Sequence, residues 1–494
     1  MTVEDLSGIS AAKIAVSDLH VGVITYVPGY PINEVASALE AEISVNEKVA
    51  IEIALGASAT GKRSMVIVKQ VGMNLLSDPL VISAIHGIGS GLVVLAGDDL
   101  GPKGSQVEMD SRYYGLISEL PVLDPCGPDA LYRSIIEAYG LSETISAPVI
   151  VRITERLLSA SWKHPVQADR TVGEPSGMKF DRTGWMLKTR ERQRKHRQEM
   201  MIAEEASERS ALNLIEIEVE DKAGIIASGY PALLAMEGVT KGDLVSSLLI
   251  LGYSNPIPRR IIKDFIEAHA LVLVAEEPGS VIESQIGMIE KVRGKLTGHL
   301  PFGRIEISDL KKALFSINQP VIEASERNTY EFAADHGYRS VCQDCPYENL
   351  FMALGKINVP VAGDAGCAIL AARPPFESVD TVYGLGSAIG VACGFSEKGI
   401  AVLGDFAFAH TGLQGLVNAV WQGRDLLVIL LKNDMAAMTG GQSVPDLTDL
   451  LRSLVPTRLL QLPASEEEIE RMLIEEINLK GISAIVAAGR CKKF

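Results

Sequence analysis

The sequence predicts an α/β fold built on mostly parallel sheets. Short apolar runs alternate with amphipathic helical patterns through about the first 160 residues, as at Val21–Tyr26 and Ser64–Lys69. Apolar runs separated by helices in this way indicate βαβ units. The composition agrees, since 47% of the residues are hydrophobic, only 5% are aromatic and 45 are glycine. Those proportions exclude fibrous, disulfide-stapled and disordered chains.

The length of 494 residues predicts about three domains. A polar stretch followed by a basic run marks the clearest boundary. We therefore expect a first α/β domain over 1–165, a basic linker over 166–205, a smaller α/β domain over 206–325 and a third over 326–494. We interpret the basic run Arg190–Arg197 as a solvated connecting helix rather than a phosphate or RNA patch, because the whole chain is acidic.

The net charge of −16, from 62 acidic and 46 basic side chains, argues against nucleic acid as a partner. The first residues lack the basic and apolar regions of a secretory signal. The sequence also lacks the run of about 18 apolar residues that a membrane span needs. We therefore expect a cytoplasmic protein with no membrane partner.

The strongest local pattern is one strand–helix–strand crossover. An apolar strand, Ile400–Leu403, ends in Gly404 and Asp405, and a helix over Thr411–Gln422 leads to a second strand that ends before Asn433. Parallel strands would place Asp405 and Asn433 at the same edge of the sheet, where open α/β sheets bind ligands. A carboxylate and an amide oxygen suit Mg²⁺ bound to a diphosphate.

The spacing from Gly404-Asp405 to Asn433 resembles the diphosphate and Mg²⁺ motif of thiamine-diphosphate (TPP) enzymes. The surrounding sequence is similar to the large (α) subunit of indolepyruvate:ferredoxin oxidoreductase. The similar blocks are Asn46–Ser58, Lys69–Asn74, Ser105–Arg112, Gly363–Cys367, Thr411–Val420 and Met438–Gln442. This resemblance implies two TPP-binding α/β domains, pyrimidine-binding over 1–165 and diphosphate-binding over 326–494, flanking a smaller transketolase-C-like α/β domain.

The chemistry of TPP needs a carboxylate beside the pyrimidine ring, and the resemblance implies Glu47 for that role. Glu52, one helical turn later, is the alternative. Without the resemblance, Glu47 would be explained by the preference for acidic residues in the first turn of a helix. His410 follows the metal motif and is a second candidate catalytic residue, although a surface histidine is the ordinary interpretation.

The resemblance also implies binding residues. We expect the cofactor to contact a set of residues in the third domain: Gly404, Asp405, Asn433, Met435, Gly384, Gly386, Ser387 and Asp364. We expect the substrate to contact Tyr30, Pro31, Lys69 and Asn74. The loop with Tyr30 resembles one that faces the 2-oxoacid carboxylate in the family, where threonine is common in place of Tyr30, so the identity of the substrate stays open.

Four cysteines form the second candidate metal site. Cys342 and Cys345 make a Cys-x-x-Cys pair, followed by Cys367 and Cys491. Thiolate quartets hold [4Fe–4S] clusters, and related oxidoreductases use a similar arrangement next to TPP. The alternative is that these are buried or merely reduced cysteines.

Together these patterns predict oxidative decarboxylation of an arylpyruvate-type 2-oxoacid, with TPP, Mg²⁺ and a [4Fe–4S] cluster as cofactors and CoA as acyl acceptor. The resemblance implies a small β subunit and a dimer of heterodimers. The family's α subunit commonly ends in a ferredoxin-like domain that has no counterpart before Phe494, so we expect electrons to pass to ferredoxin or another electron-carrier subunit. A non-oxidative TPP decarboxylase or lyase and a non-catalytic TPP-fold subunit remain as alternatives.

Overall fold

The computed structural model describes residues 7–161, 189–217, 223–321 and 340–494. The chain divides into two compact units, Met1–Ala334 and Asp335–Phe494. The three-domain division stays a prediction, because the structure groups the first two expected domains in one unit. The basic run Arg190–Arg197 lies in a 21-residue helix, Thr189–Arg209.

The first unit contains a seven-stranded sheet. Its strands are β1 Val23–Tyr26, β2 Glu42–Ile43, β3 Ser64–Lys69, β4 Leu92–Asp98, β5 Val122–Leu123, β6 Val149–Thr154 and β10 Tyr253–Asn255. The order is β10-β5-β6-β4-β3-β1-β2, and all neighbours are parallel except β10 and β5. The helices of this part are α1 Gly8–Asp18, α2 Asn33–Ala38, α3 Glu47–Ala59, α4 Met73–His86, α5 Tyr113–Ser118, α6 Pro128–Ile145, α7 Glu155–Ser159 and α8 Thr189–Arg209.

A five-stranded sheet completes the first unit. Its strands are β7 Leu214–Ile217, β8 Gly224–Ser228, β9 Ser247–Leu251, β11 Val272–Ala275 and β12 Val292–Arg293, in the order β12-β11-β8-β9-β7. Only β7 runs antiparallel to its neighbour. The helices of this part are α9 Gly229–Thr240, α10 Arg259–Ala268, α11 Val281–Ile286 and α12 Ile307–Phe315. Because β10 follows β9 but pairs with β5 of the larger sheet, the backbone joins the two sheets.

A buried ion network also joins these two sheets. Arg112 is fully buried and pairs with Asp110 at 2.7 Å and with Glu276, just after β11, at 2.9 Å. Arg152 on β6 pairs with Asp124 at 3.1 Å, and Asp124 in turn accepts a hydrogen bond from Ser228 at the end of β8. Each of these buried charges therefore has a partner. Two of the partners, Glu276 and Ser228, come from the five-stranded sheet.

The second unit contains a six-stranded parallel sheet. Its strands are β13 Val361–Gly363, β14 Thr381–Val382, β15 Gly399–Gly404, β16 Leu426–Lys432, β19 Thr457–Gln461 and β20 Ser483–Ala488, in the order β14-β13-β15-β16-β20-β19. A small hairpin adds β17 Met435–Ala436 and β18 Gln442–Ser443. The helices are α13 Glu348–Gly355, α14 Ala388–Ala392, α15 Asp405–Ala407, α16 Leu413–Trp421, α17 Thr448–Leu454 and α18 Glu466–Asn478.

Both faces of this sheet are covered by apolar side chains. Along β15, Ile400 and Val402 pack into one apolar cluster, while Ala401 and Leu403 pack into the other. Strands buried on both faces are continuous apolar runs, as in all-parallel sheets. The predicted crossover from the strand at Ile400–Leu403 through a helix to a parallel strand is confirmed by β15, α16 and β16.

None of the helices in the described parts of the chain combines the length and the apolar character needed to cross a bilayer.

The ion network predicts a large stability effect. Arg112→Met should lower the free energy of unfolding by about 3–5 kcal/mol, because it leaves buried carboxylates without their main cation. Chemical denaturation measures this loss. The matched control is Arg133→Met, since Arg133 pairs with Asp129 on an exposed helix face and should change stability by less than about 1 kcal/mol. Equal effects of the two substitutions would contradict the role given to the network.

Candidate active site

Asp405 lies at the carboxyl end of β15 and organises the turn that follows the neighbouring strand. Strands β15 and β16 pair in parallel, with Gly404 opposite Leu431. One carboxylate oxygen of Asp405, Oδ2, accepts hydrogen bonds from the backbone N–H groups of Asn433 at 3.0 Å and Asp434 at 2.6 Å. The other, Oδ1, accepts from the N–H of Phe406 at 2.8 Å. The structure thus brings Asp405 and Asn433 together at one edge, as the sequence predicts.

The surroundings of Asp405 suit a bound diphosphate and a hard cation. Burial raises the pKa of Asp405, opposed by its backbone hydrogen bonds. Apart from the adjacent residues of the chain, no described atom lies within 4 Å of the position that a Cβ on Gly404 or Gly384 would take, so both backbones border open space. Gly386 has a φ of +80°, and a Cβ there would lie 2.3 Å from Thr411 Oγ1. Only glycine fits that position.

The other predicted cofactor residues lie in the same region of the second unit. Ser387 donates a hydrogen bond to the carbonyl of Gly384 at 2.9 Å and precedes α14. The N–H of Met435 donates to the side-chain oxygen of Asn433 at 3.1 Å. These bonds hold the glycine-rich turn and the turn after β16 in defined conformations.

Asp364 and His410 form a second pair of titratable groups near Asp405. Asp364 follows β13 and is fully buried, and its Oδ2 has no hydrogen-bond partner among the described residues. Burial raises the pKa of Asp364, and backbone hydrogen bonds and the neighbouring His410 oppose it, so that the pKa is about 7. His410 is buried within a π-helical turn, Phe408–Gly412, that precedes α16. The expectation of a surface histidine is therefore wrong, and π-helical turns are frequent at functional sites.

The four predicted cysteines lie near enough to influence one another's pKa. Burial is the largest cause that raises the pKa of Cys367 to about 12, and charge repulsion from Cys345, Cys491 and Cys342 contributes to that value. Burial also raises the pKa of Cys345, again with contributions from Cys342 and Cys491. Among the described residues, however, no group of three or more His, Cys, Asp or Glu side chains is placed to hold a metal ion.

Tyr347 is a residue of this region that the sequence reasoning missed. Its side chain is buried, and its hydroxyl donates a hydrogen bond to the carbonyl of Gly489 at 3.2 Å. Burial raises the pKa of Tyr347, and so do the charges of Asp405 and of three cysteines, Cys367, Cys345 and Cys491. Tyr347 therefore lies near both Asp405 and the cysteines. The sequence signal that could have indicated Tyr347 is its position two residues after Cys345.

The first unit holds the candidate pyrimidine-side carboxylate. Asn46 caps α3 by accepting a hydrogen bond from the N–H of Val49 at 2.9 Å. Glu47 starts the helix and is 6% exposed. Its carboxyl packs against Gly72, where a Cβ would lie 2.5 Å from Glu47 Oε1. Glu52, the alternative, is on the exposed side of α3 and pairs with Lys48 at 3.2 Å, so burial favours Glu47.

The predicted substrate residues lie near the carboxyl ends of β1 and β3. Tyr30 and Pro31, joined by a cis peptide, follow β1. Lys69 ends β3. Asn74 donates hydrogen bonds to the carbonyl of Val71 and accepts one from the hydroxyl of Tyr114.

Comparison with known proteins identifies the family. Residues 374–458 match the thiamine pyrophosphate enzyme, C-terminal TPP binding domain. The indolepyruvate oxidoreductase subunit IorA of Methanothermobacter marburgensis is 30% identical over 90% of this chain and 77% of its own length. The chain belongs to the IorA family. The subunit IorA of Pyrococcus abyssi is 31% identical over 86% of this chain and 74% of its own length.

A solved structure is also similar. The 2-oxoglutarate:ferredoxin oxidoreductase of Magnetococcus marinus, with 2-oxoglutarate, coenzyme A and succinyl-CoA bound, matches with a TM-score of 0.49 and 17% identity, over 63% of this chain and 65% of its own. The family membership and the matched domain make the chain a subunit of a TPP-dependent oxidoreductase.

Removal of the Asp405 carboxylate should abolish cofactor anchoring. We expect Asp405→Ala to weaken TPP binding by about 100-fold or more, because it removes a candidate Mg²⁺ ligand and frees the backbone N–H groups that shape the turn. Titration calorimetry of TPP with Mg²⁺ checks this. Asp449→Ala is the control, since Asp449 is 96% exposed. Unchanged affinity and unchanged Mg²⁺ dependence in Asp405→Ala would refute the assignment.

Proposed function

We propose that the chain is the large subunit of an enzyme that oxidatively decarboxylates an arylpyruvate-type 2-oxoacid. The balanced reaction converts the 2-oxoacid, CoA and two oxidised ferredoxins into acyl-CoA, CO₂, two reduced ferredoxins and a proton. The name of the relatives supports the substrate class, since indolepyruvate is an arylpyruvate. A small β subunit, a ferredoxin or another electron-carrier subunit, and a dimer of heterodimers belong to the same proposal.

The observation that carries the proposal is the grouping of Asp405, Tyr347 and the four cysteines in one unit. The diphosphate motif and the candidate electron-transfer thiols influence the same buried tyrosine. A decarboxylase without a redox step has no use for four thiols beside its cofactor motif. The grouping therefore favours oxidative over non-oxidative chemistry.

The donor atoms of the second unit fit the cofactors. Asp405 and Asn433 offer the oxygen ligands that Mg²⁺ prefers, and the open space at Gly384 and Gly404 leaves room for a diphosphate. The four cysteines are the residue type that [4Fe–4S] clusters require, and their influence on one another's pKa supports assigning them to one site. Bound TPP supplies an electron sink for the loss of CO₂.

In this proposal the candidate site residues have separate roles in the reaction. Glu47, buried against Gly72, would exchange a proton with the pyrimidine ring nitrogen. Asp405 and Asn433 would hold the Mg²⁺ and orient the diphosphate. Asp364 and His410 can hold or move a proton at the carboxyl edge of the sheet, because the pKa of Asp364 is near 7. The cysteines would position the electron acceptor.

Glu47→Gln should keep TPP bound but slow the exchange of the cofactor's C2 proton by about 100-fold or more, because an amide cannot cycle the proton. Hydrogen–deuterium exchange followed by NMR after acid quench measures this rate. Glu52→Gln is the control and should exchange at the normal rate. Slow exchange in Glu52→Gln with normal exchange in Glu47→Gln would transfer the role to Glu52.

Anaerobically purified protein should contain about four irons per chain and absorb broadly near 400 nm if the cysteines hold one [4Fe–4S] cluster. Cys345→Ala should lose the iron and most acceptor reduction, with TPP binding retained. Cys393→Ala is the control, because Cys393 packs with the apolar cluster on the sheet and should keep both. Iron-free protein that still releases CO₂ from a 2-oxoacid would favour the non-oxidative alternative.

A further inference from the structure

In the first unit, the side chains of Lys69 and Tyr30 pack closely against two glycines, Gly29 and Gly104 respectively. A Cβ on Gly29 would lie 2.5 Å from Cδ of Lys69, so the lysine stem lies directly against the loop Val27–Pro31. A Cβ on Gly104 would lie 2.8 Å from Cβ of Tyr30. The ammonium of Lys69 is 3.4 Å from the carbonyl oxygen of Gly104. The loop after β1, the end of β3 and the segment after β4 therefore meet at this point.

An acidic side chain lies near the hydroxyl of Tyr30. Burial raises the pKa of Tyr30, and so does the neighbouring carboxylate of Glu155, which also pairs with Lys103 at 2.7 Å. The resemblance to the family places a threonine hydroxyl at the position of Tyr30, toward the substrate carboxylate. In this chain the hydroxyl at that position belongs to Tyr30 and lies near the carboxylate of Glu155, so a neighbouring cation is the better donor for a substrate carboxylate.

The ammonium of Lys69 has N–H donors that make no hydrogen bond to the described residues. An ammonium has three N–H donors, and the described residues offer it one long hydrogen bond and no ion pair within 4.0 Å. Burial lowers the pKa of Lys69, and the charges of Asp99 and Glu47 oppose that shift. Asp99 is occupied by the N–H groups of Lys103 at 3.0 Å and Gly104 at 2.8 Å. A partly buried cation without an anionic partner favours the binding of an anion.

We propose that the ammonium of Lys69 binds the carboxylate of the 2-oxoacid and that the ring of Tyr30 lines the space for its side chain. This inference rests on the proposed function and adds which group recognises the substrate. One ammonium beside a tyrosine ring suits a monoanionic 2-oxoacid with an apolar or aromatic side chain. A second carboxylate on the substrate would be repelled by Asp99, Glu155 and Glu47. The site therefore selects against dicarboxylic 2-oxoacids.

Binding of a carboxylate that cannot react tests this directly. The probes are 3-phenylpropionate, which lacks the oxo group, and its uncharged methyl ester, titrated by calorimetry into the TPP-loaded full chain with its partner subunit. Lys69→Met should weaken binding of the acid by about 30-fold, the worth of a charge-assisted hydrogen bond, and leave the ester unchanged. Lys62→Met is the control, because Lys62 is exposed and precedes the opposite end of β3; it should change neither.

Two further measurements separate failure of this inference from failure of the proposed function. TPP binding should be normal in Lys69→Met, since Lys69 is a substrate residue of the first unit and the residues proposed to hold the diphosphate, Asp405 and Asn433, are in the second. Melting temperature should be unchanged or higher, because methionine removes a poorly compensated buried charge. If Lys69→Met does not fold, Lys69→Gln replaces it. Unchanged acid binding, or an equal loss for acid and ester, would overturn the role of Lys69 even if the enzyme proves to use TPP.

Discussion

The hydrogen bonds accepted by Asp405 are the interaction on which the candidate site of the second unit depends. Three backbone N–H groups, from Phe406, Asn433 and Asp434, point at one carboxylate. They tie the start of α15 to the turn after β16, so the ends of two parallel strands are held together. Without that carboxylate two backbone N–H groups of the turn after β16 would lose their acceptor. The side chain of Asn433 would then have no fixed position relative to Asp405.

The cysteine group depends on a second anchor. Tyr347 donates to the carbonyl of Gly489, and a Cβ on Gly489 would lie 2.8 Å from Pro346. Pro346 and Tyr347, just after the Cys342–Cys345 pair, thus contact the segment that leads to Cys491. Because Tyr347 also lies near Asp405, the cysteines and the diphosphate motif form one neighbourhood, which is what electron transfer from a bound cofactor requires.

Much of this arrangement could be predicted from the sequence because local rules determine it. Parallel strands end at one edge, so the runs before Asp405 and Asn433 already implied their proximity. The partners of Arg112 and Tyr347 could not be found this way, because Glu276 and Gly489 are far from them in sequence. The proximity of Tyr30 and Glu155 could not be predicted either, since no periodicity links a loop residue to the first turn of α7. The burial of His410 in a π-helical turn could not be predicted either, because such a turn departs from the regular α-helical period.

The central claim is that the cofactor motif and the cysteines of this chain act in one redox reaction. The most direct measurement is the absorbance near 400 nm and the EPR spectrum of the anaerobic complex after addition of phenylpyruvate, with and without bound TPP. The account predicts that the 2-oxoacid reduces a [4Fe–4S] cluster only when TPP is bound, with bleaching of the absorbance and a reduced-cluster EPR signal. A complex that contains iron but is not reduced by the 2-oxoacid in the presence of TPP would contradict it.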